Sequence, residues 1–575
     1  MHLYPSSTKS VCFETFELDL RAGELRKQGV RVKLQEQPFQ ILAMLLERPG
    51  QVVTREELRN RLWPSDTFVD FDHSLNKAIN KLREALGDSA DTPHFIETLA
   101  KRGYRFLGNL ADSSRRIQSL LVLPLENLSR DPEQEYFADG LTEELITRLA
   151  KISALRVLSR TTAMHYKGVR KPLPEIAREL QIEGVVEGTV LRSGGRVRVS
   201  AQLIHAPTDS HLWAENYEHD LRDVLQLQAE VAAAIAKEVE VKVTPQEQVR
   251  LARSRRVSPQ AYEEYLRGRY YWNKRTADGL LKGATYFQKA IEMDPTFAAA
   301  YSGLADCAER AGYLGFLTVE QGSKRAKAIA LKALEIDDTL AESHASLGSP
   351  LHHLDWDFLG SEKEFQRAIA LNPGYASAHE WYGHCLFCAG RFEEGLAETG
   401  RALQLDPLSS VIKTSHAAGF WMSRQWDCAI EHCQKGLEFD PDYLWLLWIL
   451  GNAYQGNGNY ELALRVRKRA IDISPGAPIF VAELGSTYAA AGEGDKAFEV
   501  LKQLDEISKH RYVMPYWVAL IHANLKQKDE AFRWLDKAYA ERSGMLVYVK
   551  FDPRFDNLRT DSRFEDLLRR MNFPE

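Results

Sequence analysis

From Asp72 to Leu86 the apolar side chains Leu75, Ala78, Ile79, Leu82 and Leu86 recur at helical spacing, forming one stripe that must be buried. Asp72 stands where an N-cap belongs and Gly87 where a helix ends. Upstream, Phe39, Leu42, Leu45 and Leu46 give a helix over Gln37 to Glu47. Leu58 and Leu62 follow a capping box of Thr54 and Glu57, and Trp63-Pro64 is the stop. Downstream the pattern becomes strand-like: Phe95 to Leu99 and Tyr104 to Gly108 flank the tight turn Ala100-Lys101-Arg102-Gly103.

Three helices and a basic-tipped hairpin predict an α+β winged helix-turn-helix over residues 1–108, whose third helix enters a DNA major groove while the wing reaches a neighbouring backbone or minor groove. Opposite the apolar stripe lie His73, Ser74, Asn76, Lys77, Asn80, Lys81 and Arg83. Amides at Asn76 and Asn80 suit base edges, and Lys77, Lys81 and Arg83 suit phosphates. Lys101 and Arg102 supply the wing contact. A plain solvated helix face has the same composition.

A second domain is predicted over 118–247, an α/β unit. Ser119 to Leu125 and Leu155 to Ser159 read as strands, and Gly140 to Lys151, Pro174 to Leu180 and Leu221 to Val239 as helices. Gly184 to Leu191 and Val197 to Ile204 form a hairpin turning at Ser193-Gly194-Gly195. Residues 109–117 read as a linker, and Gln248 to Pro259 as a basic connector with Arg250, Arg253, Arg255 and Arg256.

From Ser258 the chain repeats. Segments ending at Pro373, Pro407, Pro441 and Pro475 are spaced by 34 residues, and small residues keep that period at Gly395, Ala429, Ala463, Ala497 and Ala531, and at Gly383, Ala417, Gly451, Gly485 and Ala519. Small side chains at fixed points let paired helices cross closely, which predicts an all-α solenoid over 258–575. Its final segment, from Phe551 to Met571, reads as a helical cap. The register turns Glu380, His384 and Phe387 into the concave groove, then Thr414 and Trp421, then Trp445, Trp448 and Asn452, then Tyr516. Aromatics beside Asn and Glu are what a peptide site requires, so a protein or peptide partner is expected there.

At 575 residues, 44% hydrophobic and 27% charged, the chain can bury several cores, and its net charge of −6 argues against a protein that coats nucleic acid without specificity. Residues 1–108 carry 16 Lys and Arg against 15 Asp and Glu, so DNA affinity there must come from clustered charge. Six sparse cysteines and no secretory signal fit a reducing cytoplasm. Cys385-x-x-Cys388 with Cys428 and Cys433 has a zinc-like look, but small buried thiols are the expectation, and no metal or cofactor. The longest apolar run, Tyr443 to Leu450, is too short to span a membrane. Asp139, Glu143 and Glu144 cluster as acids could for catalysis, yet Asp139 reads as a helix cap with acids in the first turns. No phosphate loop, metal-binding spacing or nucleophile elbow is present, so no catalytic residues are assigned.

The runs FELDLRAGELRKQGVRVKL, LLERPGQVVTREELRNRLWP, NKLREALGD and KRGYRF resemble the OmpR/PhoB-type DNA-binding domain of bacterial transcription regulators over nearly all of residues 11–108. That resemblance implies a short N-terminal sheet, which fits VCFETFELDL and VRVKL around turns at Gly23 and Gly29. Such regulators carry a phospho-acceptor receiver ahead of this domain. With only about ten residues before it here, no phosphorelay within the chain is expected. LLVLPLENLSRDPEQEYFADGLTEELITRLAKISALRVLSR, IARELQIEGVVEGTVLRSGGRVRVSAQLI and HLWAENYEHDL resemble the TolB amino-terminal-like domain, and the 34-residue period resembles the tetratricopeptide repeat in seven or eight copies. Together these imply a cytoplasmic one-component transcription regulator that binds double-stranded DNA, with the middle domain and solenoid for signal input or partner binding. Two rivals stand beside it: an interaction scaffold with little DNA binding, and a signalling enzyme using the middle domain.

Overall fold

The computed structural model describes residues 10–574 apart from 14–15, 21, 28–29, 63–70, 109–116, 130, 194, 242, 253–256, 275 and 314–317. The Trp63-Pro64 stop, the turn at Gly29, nearly all of the 109–117 linker and Arg253, Arg255 and Arg256 of the connector lie outside the described residues. The chain divides into two compact units, Met1–Arg116 and Ile117–Glu575.

In the first unit β1 (Ser10–Phe13), β2 (Phe16–Asp19), β3 (Glu24–Lys27) and β4 (Val30–Val32) form an antiparallel meander. Then come α1 (Glu36–Glu47), β5 (Val52–Thr54), α2 (Arg55–Leu62), α3 (Phe71–Leu86), β6 (Ile96–Leu99) and β7 (Gly103–Phe106). The second sheet has the order β5-β7-β6. Every member of the α3 stripe is buried, and Phe13, Phe16, Phe95 and Phe106 pack edge-to-face beneath it. The capping box is formed: Thr54 N donates to Glu57 Oε2 at 2.7 Å and Glu57 N to Thr54 Oγ1 at 3.2 Å. At the other end of α3, Gly87 takes φ +67 while Asp88 N bonds Arg83 O at 2.9 Å and Gly87 N bonds Glu84 O at 3.3 Å, the left-handed stop that glycine allows. Asp72 is not the N-cap. The helix begins at Phe71, and Asp72 in its first turn holds Arg55 at 2.9 Å.

The second unit opens on an α/β layer: β8 (Ser119–Val122), β9 (Glu126–Asn127), α4 (Glu135–Leu149), β10 (Arg156–Val157), α5 (Arg160–His165), α6 (Leu173–Leu180), β11 (Gly184–Ser193), β12 (Arg196–His205), β13 (Ser210–Asp220) and α7 (Val224–Glu238). Its sheet runs β10-β8-β11-β12-β13, parallel at the first two pairings and antiparallel at the last two, with β9 beside β11. Among the described residues eight helical pairs follow, from Pro259–Trp272 to Lys528–Ala540. The periodic alanines at 417, 429, 463, 497, 519 and 531 are fully buried where helices cross. The layer read as 118–247 and the solenoid read as 258–575 share one core, continuous from Ile117 to Cys307. The two pack closely at Gly140, where a Cβ would sit 2.6 Å from a side-chain methyl of Leu266 in the first solenoid helix, which would have to move. Farther along, the α/β layer meets the loops between helical pairs: Ser159 N bonds Leu405 O at 2.8 Å, Thr162 Oγ1 bonds Asp406 at 2.9 Å, and Gly374 N bonds Ala150 O at 3.0 Å.

Candidate nucleic-acid interface and solenoid groove

On α3 the side chains of His73, Asn76, Lys77 and Asn80 are exposed and those of Ser74 and Lys81 half-buried, a consequence of the helical period once the stripe is sunk in the core. Asn76 is held in a network that sequence reasoning missed. Its Oδ1 accepts from Arg55 at 3.1 Å and from Tyr104 OH at 3.0 Å, and Arg55 also donates to Tyr104 OH at 3.2 Å. The acceptor of Asn76 is therefore committed within the fold, and its amide donor is what it can offer a base. Arg55 lies inside the capping box as the first residue of α2, and its place directly after Thr54 is the available signal. Lys81 donates to Gln35 Oε1 at 2.6 Å.

Arg83 is a correction. It is 7% exposed and donates to Ile96 O at 2.7 Å and Thr98 Oγ1 at 2.8 Å. Its position in the last turn lies against the β6–β7 hairpin, so it ties α3 to the wing and does not reach phosphate. The wing turn closes through Arg102 N to Leu99 O at 2.9 Å, with Lys101 at φ +63 and both cations exposed. Gly103 is required for a reason other than the turn: a Cβ there would meet Val53 O at 2.1 Å, because β5 runs directly against β7.

The groove residues converge as the repeat register demands, but the chain itself fills them. Phe387 and Tyr516 are fully buried, and Trp421, Asn452 and Glu380 nearly so, while His384 and Trp448 are half-buried. Two short 3₁₀ turns, Gly544–Tyr548 and Pro553–Leu558, lie along the groove. Tyr548 OH meets His384 Nδ1 at 3.4 Å, Phe551 stands edge-on to Phe392 at 5.3 Å, and Tyr516 OH donates to Asp552 at 2.7 Å. Arg554 lies over the Trp421 ring at 5.1 Å and donates to Asn452 at 3.0 Å. Leu546, Val547, Val549, Phe555 and Leu558 are fully buried there, each worth about 1.5–3 kcal/mol. The peptide-site reading of Glu380, His384, Phe387, Trp421, Trp448, Asn452 and Tyr516 is accordingly corrected: in this structure the chain's own tail lies on them. Trp445 is the exception, 45% exposed beside Trp448 at 5.9 Å. The helical-cap reading applies to Ser562–Arg570, where Arg563 pairs Asp529 and Arg570 pairs Asp536 on the last helix.

Elsewhere, Cys385, Cys388 and Cys433 are buried and Cys428 is exposed; burial pushes the Cys385 thiol up to about 12. Asp139 lies in the second turn of α4 and not at its cap, 2.5 Å from Lys167. Burial works to raise Glu143, but Arg269 and Arg160 outweigh it and hold the carboxyl below its usual range. No helix among the described residues is long and apolar enough to cross a membrane.

The family described as "Transcriptional regulatory protein, C terminal" matches residues 29–106, and the tetratricopeptide repeat matches 357–410 and 450–510. The chain thus carries a winged-helix DNA-binding domain of that family and a tetratricopeptide solenoid. It is 35% identical over 238 residues to "Putative adenylate cyclase 3" of Rhizobium meliloti (strain 1021), covering 40% of each chain. It is 25% identical over 409 residues to "Transcriptional regulator HilA" of Salmonella typhimurium (strain LT2), covering 70% of this chain and 72% of that one. To the "Cholera toxin homolog transcriptional activator" of Vibrio parahaemolyticus it is 38% identical over 103 residues, 17% of this chain and 35% of that one. The chain therefore spans about two fifths of the length of the first of these relatives.

Proposed function

We propose that this chain is a cytoplasmic transcription regulator that binds a specific double-stranded DNA site, and that its α/β layer and solenoid take in a signal or a protein partner, without catalysis or cofactor. The observation that carries the reading is the exposed face of α3, with His73, Asn76, Lys77 and Asn80 standing on a fully buried stripe, in a domain that matches a regulatory DNA-binding family. Such a face, with Lys101 and Arg102 on the wing, supplies both base and phosphate contacts. A protein partner of the solenoid meets its outer surface and Trp445, because the tail fills the groove. Selection of bound fragments from random genomic DNA at several salt concentrations tests this. Enrichment of one motif, with affinity falling steeply as salt rises, is the expected result; no enrichment at any salt leaves the interaction-scaffold reading.

A second reading comes from the likeness to the Rhizobium protein. Against it, the acids of α4 are spent in the fold, Asp139 on Lys167 and Glu143 on Arg269, Arg160 and Asn273. An adenylate cyclase assay of the purified chain separates the two, and activity above a heat-inactivated control favours the enzyme.

A further inference from the structure

β13 ends the sheet of the α/β layer. Its inner edge is laddered to β12 from Asp220↔Arg196 to Ser210↔His205, and among the described residues no strand pairs with its outer edge. An open edge of eleven residues presents a row of backbone donors and acceptors that another strand can complete. Proteins blunt such edges with proline, charged side chains, bulges or brevity; β13, SHLWAENYEHD, has no proline or lysine and is not short, and its one irregularity is confined to 211–213. Its acids are already engaged. Glu218 takes Arg196 at 3.2 Å and Arg198 at 3.0 Å, and Glu215 accepts from Tyr217 OH at 2.6 Å. His219 meets Glu230 of α7 at 2.9 Å. The opposite edge, β10, is only two residues long, and its Arg156 is bound to Gln404 O of the solenoid at 3.3 Å.

We propose that β13 pairs antiparallel with β13 of a second copy of this chain, across a two-fold axis at Asn216. Directly opposed residues share a face of the sheet, so a two-fold axis must set one residue opposite itself. An axis at Glu215 or Glu218 would oppose two carboxylates, which is destabilising, and an axis at Tyr217 would leave only residues 214–220 of the strand paired, against 212–220 for an axis at Asn216. An axis at Ala214 would bring the irregularity of the ladder, between Leu203 and Ile204 opposite 211–213, next to the dyad. At Asn216 the two amides face each other, Glu215 faces Tyr217, Trp213 faces His219 and Ala214 faces Glu218, with no like charges opposed and the irregularity at the outer end. The pairing does not depend on DNA binding. Under that reading it brings two winged helices into one particle, as two half-sites require.

The full chain, purified without DNA, is expected to sediment as a dimer at micromolar concentration. In a Cys12→Ser, Cys428→Ser background, Asn216→Cys should form a covalent dimer under mild oxidation, since cross-strand Cα atoms lie within disulfide reach, while Ala214→Cys should not. Asn216→Lys sets two cations face to face and should shift the sample toward monomer with an unchanged circular dichroism spectrum. A monomeric wild-type chain overturns the proposal. So does a dimer that Asn216→Lys leaves intact, or one in which Ala214→Cys crosslinks and Asn216→Cys does not.

Discussion

Arg554 places its Nη1 2.7 and 2.8 Å from the two carboxylate oxygens of Glu483, across 71 residues of sequence, with both side chains buried. Glu483 also receives Arg467 at 2.8 Å and the indole N–H of Trp448 at 2.7 Å, while Asp552 closes on Arg554 at 2.7 Å. Two acids and two arginines thus neutralise one another inside the solenoid. Burial draws Arg467 down to about 10 against the pull of Glu483, with Arg554 pressing the same way. Balanced charge of this kind persists in a core only while every member is present.

Arg554→Ala therefore leaves Glu483 and Asp552 buried with one cation fewer. The expected loss is about 3–5 kcal/mol in chemical denaturation, and the tail should become sensitive to limited proteolysis near Gly544. Arg554→Met, which keeps volume and loses charge, should behave nearly as badly. A variant as stable as the parent would show that the tail is held by its apolar side chains alone.

Trp448 gives the companion test. Read from repeat register alone it belongs to an open groove, where truncation would weaken partner capture and spare stability. In the structure it packs against Trp421 at 6.0 Å and Trp517 at 6.3 Å and binds Glu483. Trp448→Ala should lower stability by about 3–5 kcal/mol, with a matching fall in melting temperature, whereas Trp445→Ala, at an exposed site, should change it little.

The contrast shows where sequence is legible. Period and capping chemistry placed α3, the Thr54–Glu57 box, the Gly87 stop and the 34-residue solenoid, because each follows from local geometry. The same register put Trp421, Asn452 and Tyr516 on the inner face, but nothing local says that residues 544–558 fold back onto them. That contact is made between segments far apart in sequence. β13 went unread for a related reason: as an edge strand it alternates weakly and carries many polar residues. Arg83 is not legible in the sequence, because a cation on a helix face looks alike whether it meets phosphate or the carbonyl of Ile96.

On DNA the roles on α3 should separate. Asn80→Ala should relax preference at one base position by about 1–3 kcal/mol, and Lys77→Ala should weaken all sequences alike and lower the salt slope by about one unit. Arg83→Ala should leave the salt slope unchanged and reduce the stability of the domain, since its partners Ile96 O and Thr98 Oγ1 lose a buried donor. Binding titrations at several salt concentrations, paired with melting curves, distinguish the three. A lowered slope for Arg83→Ala would return that residue to the interface.

Wing charge is tested by Arg102→Glu, which is exposed and whose side chain carries no part of the turn's backbone bonding. Affinity should fall while melting is unchanged, and footprints should shrink on the wing side. Gly103→Ala should instead unfold the hairpin, because its Cβ cannot coexist with Val53 O. If Arg102→Glu binds as the parent does, the wing only braces the fold.

Glu309 sets a pH dependence within the solenoid. Burial lifts its carboxyl to about 7, with Asp306 adding to the rise, while hydrogen bonds from Ser323 and Ser349 oppose it. A carboxyl raised in the folded state is protonated there more readily than in the unfolded chain. Its contribution is therefore complete below the ordinary value of 4.5 and is lost as pH rises toward 7. The difference amounts to roughly 3 kcal/mol. Glu309→Gln, which keeps the neutral shape at every pH, should match the parent near pH 4.5 and exceed it by up to about that amount above pH 7. Denaturation of both proteins across this window isolates the group from every other titration they share. A constant offset between the two curves would mean that Glu309 ionises in the fold as freely as it does in water.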